Sequence, residues 1–225
     1  MRPSFRTKIG SYFVDIQLEE TLSVYSGKLE VICRNGRYAL CTKNAVYSYD
    51  DLYVNFRDSF QQINLDKHGI KNVLVLGLGL GSIPLLLEKK FKKKYNYTLV
   101  EIDSKIVDLA TRYTLDELKS SCSVVCMDAL EYIKNCTEQF DLVAIDIFID
   151  DQIPSDFESI QFLEAVKKVL TPNGLLMYNQ LTYNELLLSK AELFFQKKFK
   201  KVFPEAVFLS LSGNKILLNK AHLTK

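Results

Sequence analysis

Four short stretches of this chain place glycines and carboxylates at regular intervals: Gly77-Leu-Gly79-Leu-Gly81-Ser82, Glu101-Ile102-Asp103, Asp128-Ala129 and Asp146. Each follows an apolar run, namely Val73 to Leu76, Tyr97 to Val100, Cys122 to Cys126, and Phe140 to Ile145. Val73 to Leu76 is wholly apolar, as expected of a strand covered on both faces. Positions 77, 101, 128 and 146 are spaced as successive βα units. Ligands of open α/β sheets bind outside the carboxyl ends of the strands. The pattern therefore predicts one glycine loop and three sets of carboxylates at a single sheet edge.

Each residue type has a chemistry suited to that edge. Glycines at a strand-to-helix turn let the backbone approach a ligand and expose amides at the helix N-terminus. An acid ending the second strand can accept both hydroxyls of a ribose, and Glu101 lies 24 residues beyond Gly77. Each acid also has a purely structural reading, Glu101 near a helix N-terminus, Asp128 as an N-cap and Asp103 as a cap of the following helix. Their convergence on one edge favours a ligand. A dinucleotide fingerprint sets glycines at relative positions 1, 3 and 6. Here they fall at 1, 3 and 5, with Ser82 sixth, which leans away from NAD and toward a nucleoside without a pyrophosphate, such as S-adenosylmethionine.

The elements that must position these residues are legible in outline. From residue 71 onward strands alternate with helices, expected over 104–113, 129–135, 156–170 and 183–198, with one from the glycine loop to about Lys93. That alternation builds a parallel sheet with right-handed crossovers. Strands expected at 175–178, near 202–210 and at 215–219 bring the total to seven. The last two lack an intervening helix, so they form an antiparallel hairpin at one edge. Ahead of this sheet, residues 11–47 alternate as strands, with Tyr12, Val14, Ile16 and Leu18 sharing one face. In the Asn35-Gly36 hairpin, Cys33 faces Tyr38 and Cys41 faces Glu30. Two or three such strands are marginal alone and must pack on something larger. Residues 50–66 read as a helix with Asp50 as N-cap. The division expected is a small N-terminal antiparallel β unit, 1–49, and an α/β domain, 50–225.

Composition narrows the function classes. The chain has 225 residues, 48% of them apolar, and a net charge of +2, so nucleic-acid binding would need a local patch. Lysine fills five of the six positions 89–94 and four of the five positions 197–201. Both runs end helices, and helix C-termini lie opposite the ligand edge, so both read as solvated. Five cysteines and two histidines, His68 and His222, form no zinc pattern; Cys122 and Cys126 lie about 13 Å apart on a strand, too far to bridge. All five read as buried free thiols, and no metal is expected. With no apolar leader in Met1 to Phe13 and no run long enough to span a bilayer, the expectation is a cytoplasmic protein away from membranes.

Val73 to Ser82, Val100-Glu-Ile-Asp103, Met127-Asp-Ala129, Phe140 to Asp146 and Leu170-Thr-Pro-Asn-Gly-Leu175 together resemble the successive motifs of spermidine synthases and the class I methyltransferase fold they share. The resemblance covers roughly residues 20–220, and Val-Glu-Ile-Asp is its most specific piece. It implies a Rossmann-like, seven-stranded, mostly parallel sheet. It also implies that Gly77, Gly79 and Gly81 line the cofactor, that Glu101 and Ile102 hold the ribose side, and that Asp128 with the Ala129 amide reads the adenine. Asp146 then stands beside the reactive sulfonium as the catalytic carboxylate, orienting an amine nucleophile and assisting its proton loss, with Asp150 and Tyr53 toward the substrate. Relatives that carry the β unit are commonly oligomeric, so a homodimer is implied. Aminopropyltransferases carry an Asp where this chain has Leu80, a second Asp where it has Ile149, and a Tyr, polar residue and Glu where it has Tyr53-Val54-Asn55. The departures favour methyl transfer from S-adenosylmethionine. Aminopropyl transfer from decarboxylated S-adenosylmethionine, with Asp150 replacing the missing acid, and a non-catalytic nucleoside-binding homologue are the alternatives. The acceptor is not identified.

Three further groups read as structural. Tyr47, Tyr49 and Tyr53 read at least as well as packing aromatics as they do as pocket residues. Asn179 and Gln180 read as a polar strand end, and Pro172-Asn173-Gly174 as a turn.

Overall fold

The computed structural model describes residues 3–43 and 45–221, so His222, Met1 and the extreme termini lie outside it. Helix α1 (Phe5–Gly10) is capped by Ser4, whose hydroxyl accepts from Thr7 N. Strands β1 (Ile16–Ser23), β2 (Gly27–Arg34), β3 (Arg37–Cys41) and β4 (Val46–Ser48) then form a four-stranded antiparallel sheet in chain order. Asn35 and Gly36 both take positive φ, 51° and 72°, as a two-residue hairpin turn requires. Cys33 pairs with Tyr38 and Cys41 with Glu30, as that turn dictates.

The N-terminal end of the pattern departs from expectation. Tyr12 and Val14 are exposed and precede β1 rather than sharing its inward face. After α1 the amides of Tyr12, Phe13 and Val14 turn back onto the carbonyls of Ile9 and Gly10, and the Ser11 carbonyl and hydroxyl accept from Asn35 N and Gly36 N. Local bonds to the hairpin turn thus take the place of a ladder.

Residues 50–66 are not one helix. Asp50–Leu52 forms a single 3-10 turn and α2 (Val54–Gln62) starts after Tyr53 without a side-chain cap. Asp50 instead adopts φ 42° and accepts from the neighbouring Asp51 N, which spends its carboxylate before the helix begins. Phe56, Phe60 and Ile63 are buried as the helical spacing requires.

The second sheet is built from β5 (Asn72–Leu76), β6 (Asn96–Glu101), β7 (Ser121–Cys126), β8 (Phe140–Ile145), β9 (Leu170–Leu181), β10 (Val207–Leu211) and β11 (Asn214–Leu218), in the order β10-β11-β9-β8-β5-β6-β7. The connecting helices are α3 (Ser82–Leu85, continued by a π turn, Leu86–Lys90), α4 (Ser104–Tyr113), α5 (Ala129–Asn135), α6 (Ile160–Val169), α7 (Glu185–Phe194, continued by a π turn, Phe195–Phe199) and α8 (Lys200–Val202). Neighbours from β9 through β7 are parallel, while β11 is antiparallel to both β9 and β10. Only two residues, Ser212 and Gly213, join β10 to β11, too few for a parallel crossover. Several boundaries shift: the strand expected near 202–210 is β10 at Val207–Leu211, because residues 200–202 still belong to the preceding helical run. Residues 155–158 form a 3-10 turn and α6 begins after its Ser159 cap. Pro172-Asn173-Gly174 lies inside β9 as a bulge, because the pairing passes from Phe140–Leu170 directly to Leu142–Leu175.

The alternation of β5 explains its wholly apolar sequence. Val73 and Val75 pack with Phe56, Phe60, Ile63 and with Leu29, Val31 and Leu40 of the small sheet. Leu74 and Leu76 pack on the opposite face with Val166, Tyr178, Phe194 and Phe199. The small sheet therefore shares a core with the large one. Polar ties reinforce this contact: Glu19 accepts from both terminal nitrogens of Arg112 at 2.7 Å and from Tyr113 Oη at 2.8 Å. All five cysteines are free, but only Cys33 and Cys41 are buried; Cys126 is exposed at the sheet edge. Among the described residues no helix is long and apolar enough to cross a membrane, and no group of three His, Cys, Asp or Glu side chains could hold a metal.

Asn219 closes the join of β9 and β11: its Oδ1 accepts from Leu176 N at 2.9 Å and its Nδ2 donates to the Gly174 carbonyl at 3.0 Å. Replacing it by alanine strands two buried backbone groups. N219A should cost about 2–3 kcal/mol, lowering Tm by about 5–10 °C in a thermal melt.

Candidate functional site

A cavity of about 270 Å³ opens where β5, β6, β7 and β8 end. Gly77, Gly79, Glu101, Ile102, Asp128, Ala129, Asp146, Asp150 and Tyr53 all line it. Of the predicted site residues, Gly81 alone is set back from its wall; it begins α3 beside Leu115.

Backbone bonds assemble the floor. Asp146 N donates to the Leu76 carbonyl at 2.8 Å, and Gly77 N donates to the Val100 carbonyl at 3.0 Å. Gly77 has φ 90°, and a Cβ there would lie 2.2 Å from the Asp146 carbonyl oxygen. No side chain fits between these strand ends, so glycine at 77 is a steric requirement. Gly79 meets the small sheet instead, where a Cβ would lie 3.0 Å from Ser48 Cβ and 3.1 Å from the Tyr47 carbonyl.

Glu101 is buried, and each of its carboxylate oxygens takes one amide: Leu78 N on Oε2 and Asp103 N on Oε1, both at 3.0 Å. Burial raises its pKa, while these two amides oppose the rise. A carboxylate anchored in this way is a fixed acceptor for hydroxyl donors. Asp128 caps α5 through Leu130 N at 2.6 Å while also lining the cavity, so its structural and ligand-facing readings both hold. Asp103 caps α4 through Lys105 N and takes the hydroxyls of Ser23 and Ser26 from the tip of the β1–β2 hairpin. That latch brings Tyr25 and Ser26 onto the cavity wall, a contact between residues nearly 80 positions apart that no local pattern announces.

Asp146 is half-buried. Its Oδ1 accepts from Asn179 Nδ2 at 2.9 Å and from Tyr53 Oη at 3.3 Å. Burial raises its pKa to about 6, against the pull of those two donors. Burial and the neighbouring Asp146 charge push Tyr53 far up, so the phenol remains a neutral donor. Asn179 is thus more than a polar strand end: it lies within β9 and bonds Asp146 directly. Its role was hidden because a strand of twelve residues carries it past the point where the apolar run stops. Tyr47 and Tyr53 line the cavity, whereas Tyr49 turns away to Asn35 and Arg34. Asp150, at φ 55°, donates its amide to Tyr47 Oη and accepts from the Thr42 hydroxyl at 3.0 Å.

The lysine runs divide. Lys89 and Lys93 pair with Glu117 and Asp66, away from the cavity. Lys197 and Lys198, expected at the far end, line a second groove with Lys190, Glu158 and Gln180. Phe148 and Leu181 belong to both walls, so this groove adjoins the site. α7, its π turn and α8 form one continuous helical run over 185–202, and Lys190, Phe194, Lys197 and Lys198 share the face of it that lines this groove.

Residues 61–220 match the spermine/spermidine synthase domain. The chain is 33% identical over 108 residues to a probable polyamine aminopropyl transferase of Bifidobacterium longum, covering 48% of this chain and 24% of that one. It is 30% identical over 163 residues to the eEF1A lysine and N-terminal methyltransferase of Bos taurus, covering 67% of this chain and 23% of that one. The chain spans about half or less of the length of the curated relatives it matches. Its fold is similar to the crystal structure of human methyltransferase-like protein 13 in complex with SAH, with TM-score 0.56 and 28% identity over 68% of this chain and 72% of that one.

The raised pKa of Asp146 gives a stability signature. Between the ordinary carboxylate range and pH 6 the folded chain keeps a proton that the unfolded chain has released, so stability falls as pH rises through that window. An asparagine at 146 keeps an acceptor for both donors and removes the charge. D146N should raise Tm by a few degrees at pH 8, with the gain vanishing near pH 4, as read by melts across that range.

Proposed function

Because the chain belongs to the spermine/spermidine synthase domain family, we propose that it binds S-adenosylmethionine or a related sulfonium nucleoside and transfers a group from it to an amine, methyl transfer being favoured. The observation that carries this reading is the division of labour between two carboxylates of one cavity. Glu101 is fixed by backbone amides, whereas Asp146 is held on Oδ1 and, among the described residues, has no hydrogen-bond partner on Oδ2.

The residues suit the nucleoside. Glu101 would accept the ribose hydroxyls, Asp128 and the first amides of α5 would meet the base, and the Gly77–Gly79 backbone would pass beneath the remainder. The bound cofactor supplies a carbon already activated by its sulfonium leaving group. The chain's task is then chiefly to hold the amine in line. Asp146 Oδ2 would accept an amine N–H, orient the lone pair and take the proton, and with a pKa of about 6 it is ionised at neutral pH. Tyr53 and Asn179 keep Oδ1 occupied, so the carboxylate cannot turn away.

Two observations support methyl over aminopropyl transfer. Leu80, where aminopropyltransferases carry an Asp, is fully buried in the core. Ile149, where they carry another, is exposed. Asp150 on the cavity wall keeps aminopropyl transfer as the second reading, although Thr42 occupies its Oδ1.

Titration calorimetry with S-adenosylmethionine and its decarboxylated form separates the readings: tighter binding of the former is expected, and binding of neither would sink both. E101A should lose more than tenfold in nucleoside affinity. D146N should bind within a few-fold of wild type yet lose about 10²–10⁴ in transfer to amines such as lysine peptides or putrescine. On any amine that turns over, kcat/KM should fall as pH drops below about 6.

A further inference from the structure

Asp146 lines the cavity, yet its shorter side-chain hydrogen bond comes from Asn179, which does not line it. Asn179 is fully buried, and its Nδ2 donates to Asp146 Oδ1. Its own Oδ1 accepts from Asn214 Nδ2 at 2.8 Å. Asn214 is buried on β11, where it pairs with Leu181 while Ile216 pairs with Asn179. Asn214 and Asn179 are therefore diagonal neighbours on one face of an antiparallel pair, within reach of each other.

An asparagine amide is nearly symmetric in shape, so a buried one can offer a neighbour either its carbonyl or its NH2. Its second partner decides which. Asn214 donates to Asn179, and this leaves the Asn179 NH2 for the carboxylate. We propose that Asn214 is a positioning residue that locks the Asn179 amide with its NH2 toward Asp146, so that the protein holds Oδ1 and presents Oδ2 alone to the acceptor amine. The proposal rests on the reading of Asp146 as the acceptor-facing base.

The charged surroundings leave this chain of amides to act on Asp146. Tyr53, from the start of α2, is the titratable group that bonds it. Glu101, Asp128, Asp150 and Asp156 line the same cavity. Beside Asn214, Lys215 directs its ammonium to Glu192 at 2.7 Å and lies over the Phe208 ring. Without Asn214's donation the Asn179 amide is free to turn, and Asp146 loses a donor that favours its charged form. An ionised aspartate at 214 would instead attract the Asn179 NH2 and turn its carbonyl onto Asp146.

The test is a carbon-detected NMR titration of the Asp146 carboxyl in the full chain, identified by its disappearance in D146N. N214L, which keeps the branched shape without the polar atoms, should raise the Asp146 midpoint by about one pH unit, a tenfold change in proton affinity, and isosteric N214D by at least as much. Midpoints equal to wild type in both variants would overturn the proposal. Should either variant fail to fold, the unmodified chain still answers. The side-chain NH2 resonances of Asn179 and Asn214 should both shift with the Asp146 midpoint, and an Asn179 NH2 that ignores it contradicts the relay. None of these readouts needs turnover. A moved midpoint in a chain that transfers nothing to any amine would reject the catalytic reading and keep the relay. In a chain that does turn over, the acid limb of kcat/KM should move with the midpoint while nucleoside affinity stays unchanged.

Discussion

The site depends on how closely β5 and β8 approach each other at their ends. Asp146 N bonds the Leu76 carbonyl, and Gly77 fits there only because it has no Cβ to meet the Asp146 carbonyl. The same kind of bond then repeats across the edge. Gly77 N reaches the Val100 carbonyl of β6, and Met127 N, just past β7, reaches the Glu101 carbonyl. Four strand ends are thus knitted one residue beyond their ladders. The residue at or next to each knot is a glycine of the loop or a carboxylate of the cavity. Parallel strands buried on both faces cannot slide in register without moving a whole apolar set out of place, so the sheet core fixes where the carboxylates sit.

The small antiparallel sheet completes what the large one begins. Ser48 and Ser82 share a hydrogen bond at 2.7 Å, and Tyr49 N donates to the Ser82 hydroxyl at 3.0 Å, which seats β4 against the glycine loop. Ser23 and Ser26 hold the β1–β2 tip on Asp103, and Thr42 with Tyr47 holds the segment after β8 through Asp150. Polar contacts at three places thus bring Tyr25, Ser26 and Tyr47 onto the cavity wall. A sheet this small does not bury enough on its own, and its apolar face is spent on the helix α2 and β5 side of the shared core.

What was legible in the sequence follows from which signals are local. The apolar runs, the glycine loop and the acid after each run are consecutive in the chain, and α5 and β8 appear with the bounds their patterns imply. Asp128 could be read both as a cap and as a cavity residue because both roles need the same position. The rest depends on pairing between distant segments. Asn179 and Asn214 are ordinary polar residues until β11 slides in antiparallel beside β9. Tyr25 and Ser26 gain a role only when Asp103 captures the hairpin tip. Tyr12 and Val14 alternate like strand residues, yet a hydrogen-bonded turn after α1 claims their amides. Lys197 and Lys198 line a groove only because the distant segment 148–158 packs beside their helix.

A crystal structure of the chain with S-adenosylhomocysteine tests the central claim most directly. The account predicts the ribose on Glu101, the base beside Asp128 and Ala129, and the sulfur facing Asp146 with Asn179 still bonded to Oδ1. A nucleoside seated instead in the groove of Lys190 and Lys198, or no bound nucleoside at saturating concentration, would contradict it.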